Sequence, residues 1–480
     1  MTTVAVAFVV FLLAFLVIGT LSYRRSRGTT ADYYLASTAI RPSFVGLSAV
    51  ATNNSGYMFI GVIGYTYATG LAAIWLMLGW IAGDLIGSLI VHQHLRRSAE
   101  YNRELTFAGA LARWTGVEYR KLRVVAALLT IVFLGAYTAA QLSAGGKALH
   151  SMFGWSEGAG AMLVAAVVAV YCFAGGIRAS IWTDVAQAVV MMVAMGLLLW
   201  VAVDGLGGWQ ASWNRLDAIP NYMNWFPEAL IVPGAAGMLL FVVGWMFAGL
   251  SAIGQPHVAI RFMALDRPER MWQARFWYYG FFTIFYAMAT GVGLLSRIYL
   301  PELGALDPEL ALPTMAQDLL PPVLVGLVLA GIFAATMSTA DSLVLSCSAS
   351  LTHDLPRRPM SSTWIAKGAT LAITGFALAI ALAKTQSVFS LVILAWSTLA
   401  AAFVPLLLVY VRGHRPSELH ALLMILVGVG TALAWRALGL HEQIYEGLPG
   451  ILAGWQTFYL PPRRASRSGL QAEDLPAAER

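Results

Sequence analysis

The chain has 480 residues, of which 59% are hydrophobic and only 11% charged, and its formal net charge is +6. Apolar stretches long enough to cross a bilayer recur along its length, which excludes a soluble enzyme and indicates an integral membrane protein. The basic excess is explained by membrane topology, so it implies no nucleic-acid partner.

The apolar stretches predict about thirteen transmembrane spans in a single membrane domain over 1–461, followed by a short cytoplasmic tail over 462–480. In chain order the spans are 4–22, 42–67, 72–91, 124–142, 159–173, 182–203, 237–260, 276–295, 322–347, 365–383, 388–411, 419–435 and 444–460. The last span is the weakest because Glu446 and Pro449 interrupt it.

The basic residues predict the orientation of these spans. Lys and Arg concentrate in cytoplasmic loops, and with the N-terminus outside and the C-terminus in the cytoplasm all but five of the 30 fall on the inner side. The inner clusters are 24–27, 96–103, 120–123, 261–275, 357–358 and 463–467. The outer exceptions are Lys147, Arg215, Arg297, Lys384 and Arg436. We therefore expect a multi-pass protein of the cell (inner) membrane, with the lipid bilayer as a partner.

Two spans carry helix breakers and polar residues at mid-membrane. Residues 51–57 (ATNNSGY) place four consecutive polar side chains and a glycine in the second span. Residues 249–257 (GLSAIGQPH) combine two glycines, a proline and three polar groups in the seventh. Irregular backbone at this depth is tolerated where it lines a cavity or is buried in protein, so both spans are predicted to be unwound. A proline kink or a small-residue packing face is the simpler interpretation of either helix alone.

The spacing of the broken spans predicts an inverted repeat. They lie five spans apart, as expected if 42–203 and 237–411 are two five-helix repeats of opposite orientation. The helices over 4–22, 419–435 and 444–460 are then peripheral.

A polar run in the ninth span is costly for a membrane helix. Residues 334–342 (AATMSTADS) contain several hydroxyls and the carboxylate of Asp341. A charge at mid-membrane costs about 2.5 to 3.5 kcal/mol or more, which makes it a functional-site hypothesis by default. Ala335, Ser338, Thr339 and Ser342 fall on one helix face. Oxygen donors on one face suit a hard cation such as Na⁺, although Ser and Thr also bond back to their own backbone or join helices.

With these motifs in this order, the chain resembles the sodium:solute symporters, and within them the bacterial sodium/proline branch. The matching segments are 47–49 (LSA) leading into 53–56 (NNSG), 179–184 (ASIWTD), 254–257 (GQPH) with 261–264 (RFMA), and 334–342. The resemblance implies an all-α fold of the leucine-transporter type, with a five-plus-five inverted repeat and discontinuous helices. It also implies a transporter that uses Na⁺ as its co-transported ion and no organic cofactor.

The resemblance further implies two cation sites. The main Na⁺ site would use the main-chain carbonyls and side-chain hydroxyls of Ala51, Asn54, Ala335, Ser338 and Thr339. Neutral oxygens bind Na⁺ weakly enough to release it, as a transport cycle requires. A second site, for Na⁺ or a proton, would use Asp184, Ser338, Asp341 and Ser342. The alternative for Asp184 is a buried acid satisfied by Thr183 or by an Arg at the cytoplasmic end.

For the organic solute, the resemblance implies residues on both broken helices and on the fourth span. They are Ser55, Gly56, Tyr57, Tyr137, Gln141, Gln255, Pro256 and His257. Exposed amide hydrogens of a broken helix would bind a carboxylate, and aromatic rings would enclose an apolar body. Ordinary packing is the alternative for Tyr57 and Tyr137, and a capped, non-titrating side chain is the alternative for His257.

Three positions depart from the proline branch. Asn53 replaces an acidic residue, as in sugar-transporting relatives, so the cavity has one negative charge fewer. Ala248 and Ala252 stand where an ungapped alignment places the aromatic pair of the proline pocket. Asp84, in the third span, matches no ligand position and is predicted to be structural or to face a cavity.

The sequence therefore predicts a Na⁺-coupled symporter that imports a small organic solute by alternating access. An amino acid such as proline is the first expectation for the solute, and a sugar or a monocarboxylate is the alternative. A solute-sensing membrane module of a signalling system is a second class of function, and the short tail argues against it. A membrane-embedded hydrolase is disfavoured because the eight His residues form no pair at i, i+4 and no Gly-x-Ser-x-Gly elbow lies at a membrane boundary.

Overall fold

The computed structural model describes residues 2–23, 29–302, 307–360, 362–383 and 387–460. The α-helices are α1 (Thr2–Tyr23), α2 (Thr30–Leu35), α3 (Pro42–Asn53), α4 (Ile63–Thr69), α5 (Ile74–Asn102), α6 (Phe107–Ala112), α7 (Arg120–Phe153), α8 (Glu157–Gly205), α9 (Trp209–Asp217), α10 (Ala235–Leu250), α11 (Pro256–Met263), α12 (Met271–Tyr299), α13 (Ala311–Leu319), α14 (Pro322–Ala349), α15 (Thr363–Leu382), α16 (Val388–Val411), α17 (Glu418–Ala437) and α18 (Gly447–Thr457). No strand forms within these ranges, so the predicted all-α class is confirmed.

Membrane-crossing helices dominate the described residues. Nine helical segments in this part of the chain are long and apolar enough to cross a bilayer, which confirms a multi-pass membrane protein. The predicted last span appears as α18, whose 11 residues extend for about 16 Å, roughly half the hydrocarbon thickness. The total of thirteen spans stays a prediction. The tail over 462–480, the basic cluster 24–27 and Lys384 lie outside the described residues.

The second predicted span is broken where its polar residues lie. α3 ends at Asn53, and Asn54 leaves the helical conformation with φ −79° and ψ 64°. A π-helical turn over Tyr57–Val62 precedes α4. Only glycine fits at position 56, because a Cβ there would lie 2.5 Å from Cγ2 of Thr336. At the break, the backbone therefore packs directly against α14.

The seventh predicted span is broken in the same way. α10 ends at Leu250, a tight 3₁₀ turn covers Ser251–Gly254, and Gln255 is extended at φ −94° and ψ 109°. α11 then begins with Pro256 at its first position, where proline loses no helical hydrogen bond and its fixed φ suits the helix. Both predicted discontinuities are therefore present.

A glycine kink separates the fifth and sixth predicted spans. Both belong to α8, which is 49 residues long and departs from helical geometry at Gly176, where φ is 59° and ψ is −154°. A Cβ at this position would lie 2.5 Å from the carbonyl oxygen of Tyr33, so a side chain is excluded by space as well as by conformation. The two spans thus follow each other without a long loop between them.

α14 forms the centre of the molecule. Every residue from position 328 to 349 is buried, and the helix packs against α1, α3, α7 and α8. A helix that is covered on all sides lies in a protein core and does not face lipid. The polar run 334–342 therefore points at other helices, among them the last turn of α3.

Candidate functional site

The hydroxyls of α14 face the first helix break. Because α3 ends there, the carbonyls of its last turn have no partners within the helix. The Oγ of Ser338 donates to the carbonyl of Ala51 at 2.9 Å and lies 3.2 Å from that of Ala335. The Oγ1 of Thr339 donates to the carbonyl of Thr52 at 2.8 Å. Neutral oxygens thus converge from two helices, an arrangement that can bind a hard cation.

Three of the five residues predicted for the main Na⁺ site are in direct contact: Ala51, Ala335 and Ser338. Thr339 reaches them through Thr52, a residue of the polar run 51–57 whose carbonyl was not identified from the sequence. Asn54 lies at the break itself, where its amide donates to the carbonyl of Val50 at 2.7 Å. Both polar atoms of the Asn54 side chain are buried without a hydrogen-bond partner among the described residues.

Asp184 and Asp341 share the guanidinium group of Arg261. Its Nη2 lies 3.3 Å from a carboxylate oxygen of Asp184 and 3.7 Å from one of Asp341. All three side chains are almost completely buried, with exposed fractions of 0 to 1%. Hydroxyls are the other donors to the two carboxylates, namely those of Ser48, Ser180 and Ser342.

The predicted second cation site therefore contains the positive charge of Arg261. Nη2 also donates to the Oγ of Ser180 at 2.5 Å and to the Oγ of Ser342. Of the partners considered for Asp184, the arginine is the one in contact, whereas the Thr183 hydroxyl bonds back to its own helix. Arg261 was assigned from the sequence to a cytoplasmic basic cluster. Its side chain is buried on α11 beside the two carboxylates, and the cytoplasmic side of this cluster stays a prediction.

The predicted solute residues of the first break meet those of α7 around Ser55. Tyr137 donates its hydroxyl to the Oγ of Ser55 at 3.0 Å, and the amide of Tyr57 donates to the same oxygen at 3.1 Å. The Oε1 of Gln141 accepts the amide hydrogen of Gly56 at 2.9 Å. Side-chain oxygens thus accept the amide hydrogens at the break. The carboxylate of a solute would have to replace those oxygens.

The predicted residues of the second break lie beside the same group. The His257 ring is 5.4 Å from that of Tyr137 and 5.9 Å from that of Trp396. Gln255 donates from Nε2 to the carbonyl of Trp396 at 2.9 Å, and Pro256 starts α11 between them. All eight predicted solute residues are therefore brought together by the fold.

Two tryptophans of this region were not identified from the sequence. Trp396, on α16, is buried and donates its Nε1 to the carbonyl of Ala248 at 3.0 Å. Trp80, on α5, lies 5.4 Å from Trp396 between ring centroids. The aromatic wall beside Ala248 is therefore supplied by α5 and α16 instead of α10. Indoles in apolar spans resemble ordinary packing residues, so no sequence signal distinguished these two.

Trp80 and Trp396 line a small closed cavity together with Tyr57, Tyr137 and Asn54. Its volume of about 10 Å³ is room for about one water molecule. Three of its lining residues carry buried polar atoms without a partner in the described residues, namely both polar side-chain atoms of Asn54, Tyr57 Oη and Tyr286 Oη. Gln141 Nε2, Gln255 Oε1 and both ring nitrogens of His257 are also unpartnered there, and these residues contact Gly56, Trp396 and Tyr137. Because buried polar groups are nearly always hydrogen-bonded, this concentration indicates a site that a polar ligand completes.

Aromatic rings close the cavity towards α4. The Phe389 ring lies 5.4 Å from that of Tyr57 and is stacked on Tyr65 at 5.2 Å. The Oε1 of Glu309 accepts the amide hydrogen of Phe389 at 2.9 Å, and Lys147 holds Glu309 at 2.6 Å. Beyond Phe389 lies a second cavity of about 330 Å³, which Phe389 and Tyr65 help to line. Phe389 thus separates the central cavity from this larger one.

Two broken helices that meet at a buried group of unsatisfied polar atoms define a membrane transporter of the leucine-transporter fold. A Na⁺-coupled sialic acid symporter has this fold with a TM-score of 0.76 and 18% identity, covering 95% of this chain and 98% of its own. The nucleobase-cation-symport-1 family transporter Mhp1 matches with a TM-score of 0.56 and 14% identity, over 89% of this chain and 92% of its own.

The family model of the sodium:solute symporter family matches residues 33–428, and the chain belongs to that family. The high-affinity proline transporter PutP of Bacillus subtilis (strain 168) is 29% identical over 91% of this chain and 93% of its own. The sodium/proline symporter of Staphylococcus aureus (strain USA300 / TCH1516) is also 29% identical, over 97% of this chain and 93% of its own. The protein is therefore a Na⁺-coupled solute symporter and not an enzyme.

Proposed function

We propose that the protein imports a small amino acid such as proline together with Na⁺. The observation that carries this proposal is the group of unpartnered buried polar atoms between the two helix breaks. The amide hydrogens of Gly56 and Tyr57 suit a carboxylate, and the indoles of Trp80 and Trp396 suit an apolar ring. The two relatives that are named as proline transporters support the same solute.

In this proposal Na⁺ binds between α3 and α14. Its ligands are the carbonyls of Ala51, Asn54 and Ala335 and the hydroxyls of Ser338 and Thr339, to which we add the carbonyl of Thr52. The second site, at Asp184, Ser338, Asp341 and Ser342, accepts Na⁺ or a proton only in a state in which Arg261 has moved away. In the conformation described, the main site is therefore the one proposed to bind Na⁺.

Alternating access then proceeds between the repeats over 42–203 and 237–411. With the N-terminus outside and the C-terminus in the cytoplasm of the inner membrane, Phe389 is the lid on the outer side. The cytoplasmic side is held by Arg123, whose guanidinium lies 2.8 Å from Glu104 and 3.3 Å from Asp354. Moving one Na⁺ inwards through 100 mV contributes about 2.3 kcal/mol to solute accumulation.

Uptake into proteoliposomes tests this function. We expect purified protein to accumulate labelled proline under an inward Na⁺ gradient and to stop when Na⁺ is replaced by choline. An excess of unlabelled amino acids should compete, whereas sugars and monocarboxylates should not. Equal uptake in choline would refute the coupling. Competition by a sugar or a monocarboxylate alone would refute the amino-acid assignment.

Trp396→Ala tests the aromatic wall. We expect the KM for the solute to rise about tenfold, which equals about 1.4 kcal/mol, because the ring that faces His257 and Trp80 is removed. The Na⁺ concentration for half-maximal uptake should change little. Trp200→Ala is the matched control, since this tryptophan is 66% exposed on α8. An unchanged solute KM in correctly folded Trp396→Ala protein would exclude Trp396 from the solute site.

A further inference from the structure

Asp84 is a buried carboxylate without a cationic partner in the described part of the chain. It lies on α5 and is 1% exposed. Its Oδ2 accepts the hydroxyl of Tyr278 at 2.6 Å, and its Oδ1 accepts that of Tyr279 at 3.2 Å. A carboxylate inside a membrane span is costly and is a functional-site hypothesis by default. Neither the main Na⁺ site nor the group around Arg261 uses it.

Tyr278 connects Asp84 to the first helix break. Its hydroxyl oxygen accepts a hydrogen bond from Nδ2 of Asn53 at 2.6 Å while its hydrogen goes to Asp84. Tyr278 and Asn53 are 1% and 6% exposed. Asn53 is the last residue of α3, two positions after Ala51. Two short hydrogen bonds therefore run from the carboxylate on α5, through α12, to the end of α3.

The carboxylate fixes the direction of this chain of hydrogen bonds. An ionised Asp can only accept, so the Tyr278 hydroxyl must donate to it and is left to accept. Asn53 must then present its amide NH₂ to Tyr278. The amide oxygen of Asn53 is thereby turned away from Tyr278, and Asn53 lines the small cavity at the break. Hydrogen bonds to charged groups are the stronger ones, and chains of them reinforce each other.

We propose that Asp84 is a positioning residue for the co-transported cation, which acts through Tyr278 to hold the Asn53 amide oxygen towards the helix break. This inference rests on the proposed Na⁺ site at that break. The ligands proposed there are neutral, and the carboxylates of Asp184 and Asp341 are engaged by Arg261. Asp84 is then a carboxylate next to the break without a cationic partner among the described residues, whereas Arg261 offsets one of the two charges of Asp184 and Asp341. A cation that arrives at the break meets an oriented oxygen and a buried negative charge in a medium of low dielectric constant, where attraction extends further than in water.

Removing the carboxylate from position 84, and then placing one at position 53, tests the proposal. We expect Asp84→Asn to raise the Na⁺ concentration for half-maximal uptake about tenfold, with the solute KM at saturating Na⁺ unchanged. Tyr278→Phe should act in the same direction, because it interrupts the chain. The double variant Asn53→Asp/Asp84→Asn should return the Na⁺ requirement to within about threefold of the wild-type value, since the carboxylate then stands at the break itself.

Tyr279→Phe is the matched control for Tyr278→Phe. It removes a hydrogen bond to the same carboxylate without touching Asn53, so its Na⁺ requirement should change less than twofold. Na⁺-induced thermal stabilisation of purified protein, measured without solute, provides a second readout. If wild-type protein shows no Na⁺ dependence, the proposed function fails. If wild-type protein depends on Na⁺ and Asp84→Asn has the same Na⁺ requirement, or the double variant stays as impaired as Asp84→Asn, the role of Asp84 is refuted.

Discussion

Ser338→Ala/Thr339→Ala is expected to lose Na⁺-stimulated uptake while still inserting into the membrane. The two hydroxyls supply the side-chain oxygens of the proposed site and bind the carbonyls of Ala51 and Thr52 at the helix break. A hydrogen bond or contact to a charged group contributes about 1.5–3 kcal/mol. Loss of two such groups therefore raises the Na⁺ requirement by more than about a hundredfold. Alanine is a good helix former, so α14 itself should persist.

The control for this double variant is Ser346→Ala/Thr374→Ala. Both hydroxyls are buried in membrane helices and bond back to their own helix, Ser346 to the carbonyl of Ser342 at 2.8 Å and Thr374 to that of Thr370 at 2.9 Å. Uptake over a series of Na⁺ concentrations should separate the two double variants. Wild-type Na⁺ dependence in the Ser338 and Thr339 variant would refute the site.

The helix breaks could be predicted from the sequence because few backbone conformations accommodate their residues inside a membrane. Polar side chains with glycine or proline at mid-membrane, as in 51–57 and 249–257, leave the backbone unsatisfied unless it lies within protein. The run 334–342 is informative for the same reason, since Asp341 is expensive in lipid. Residues that conflict with the membrane environment thus identified the two broken helices and α14.

Residues whose type is ordinary for the sequence around them could not be assigned a role from the sequence. Arg261 follows the pattern of basic residues at a cytoplasmic helix end, yet α11 carries it between Asp184 and Asp341, which are distant in the chain. Trp396 appears as one more apolar residue of α16. Their roles depend on which helices are neighbours, and neither hydropathy nor spacing determines this. The link from Asp84 through Tyr278 was invisible for the same reason.

Arg261→Met is expected to lower the stability of the folded protein more than any other single change discussed. It leaves the carboxylates of Asp184 and Asp341 buried together without the guanidinium that lies between them. Removing one partner of a buried ionic group costs about 3–5 kcal/mol, a large part of the stability of a typical folded protein. The measurement is the apparent melting temperature of detergent-solubilised protein in Na⁺-free buffer. Arg97→Met is the control, because Arg97 forms an exposed ion pair with Glu269 at 3.6 Å.

Sodium should restore part of the stability that Arg261→Met loses. Once the guanidinium is gone, the oxygens of Asp184, Asp341 and Ser342 are free to bind a small cation, and ligand binding to the folded state raises its apparent stability. The rise in melting temperature between Na⁺-free and Na⁺-containing buffer should therefore be larger in the variant than in the wild type. A variant as stable as Arg97→Met without Na⁺ would show that Arg261 is not the counter-charge of the two carboxylates. If Na⁺ raises the melting temperature equally in variant and wild type, these carboxylates have only a structural role. The oxygens around Ser338 are then the cation site.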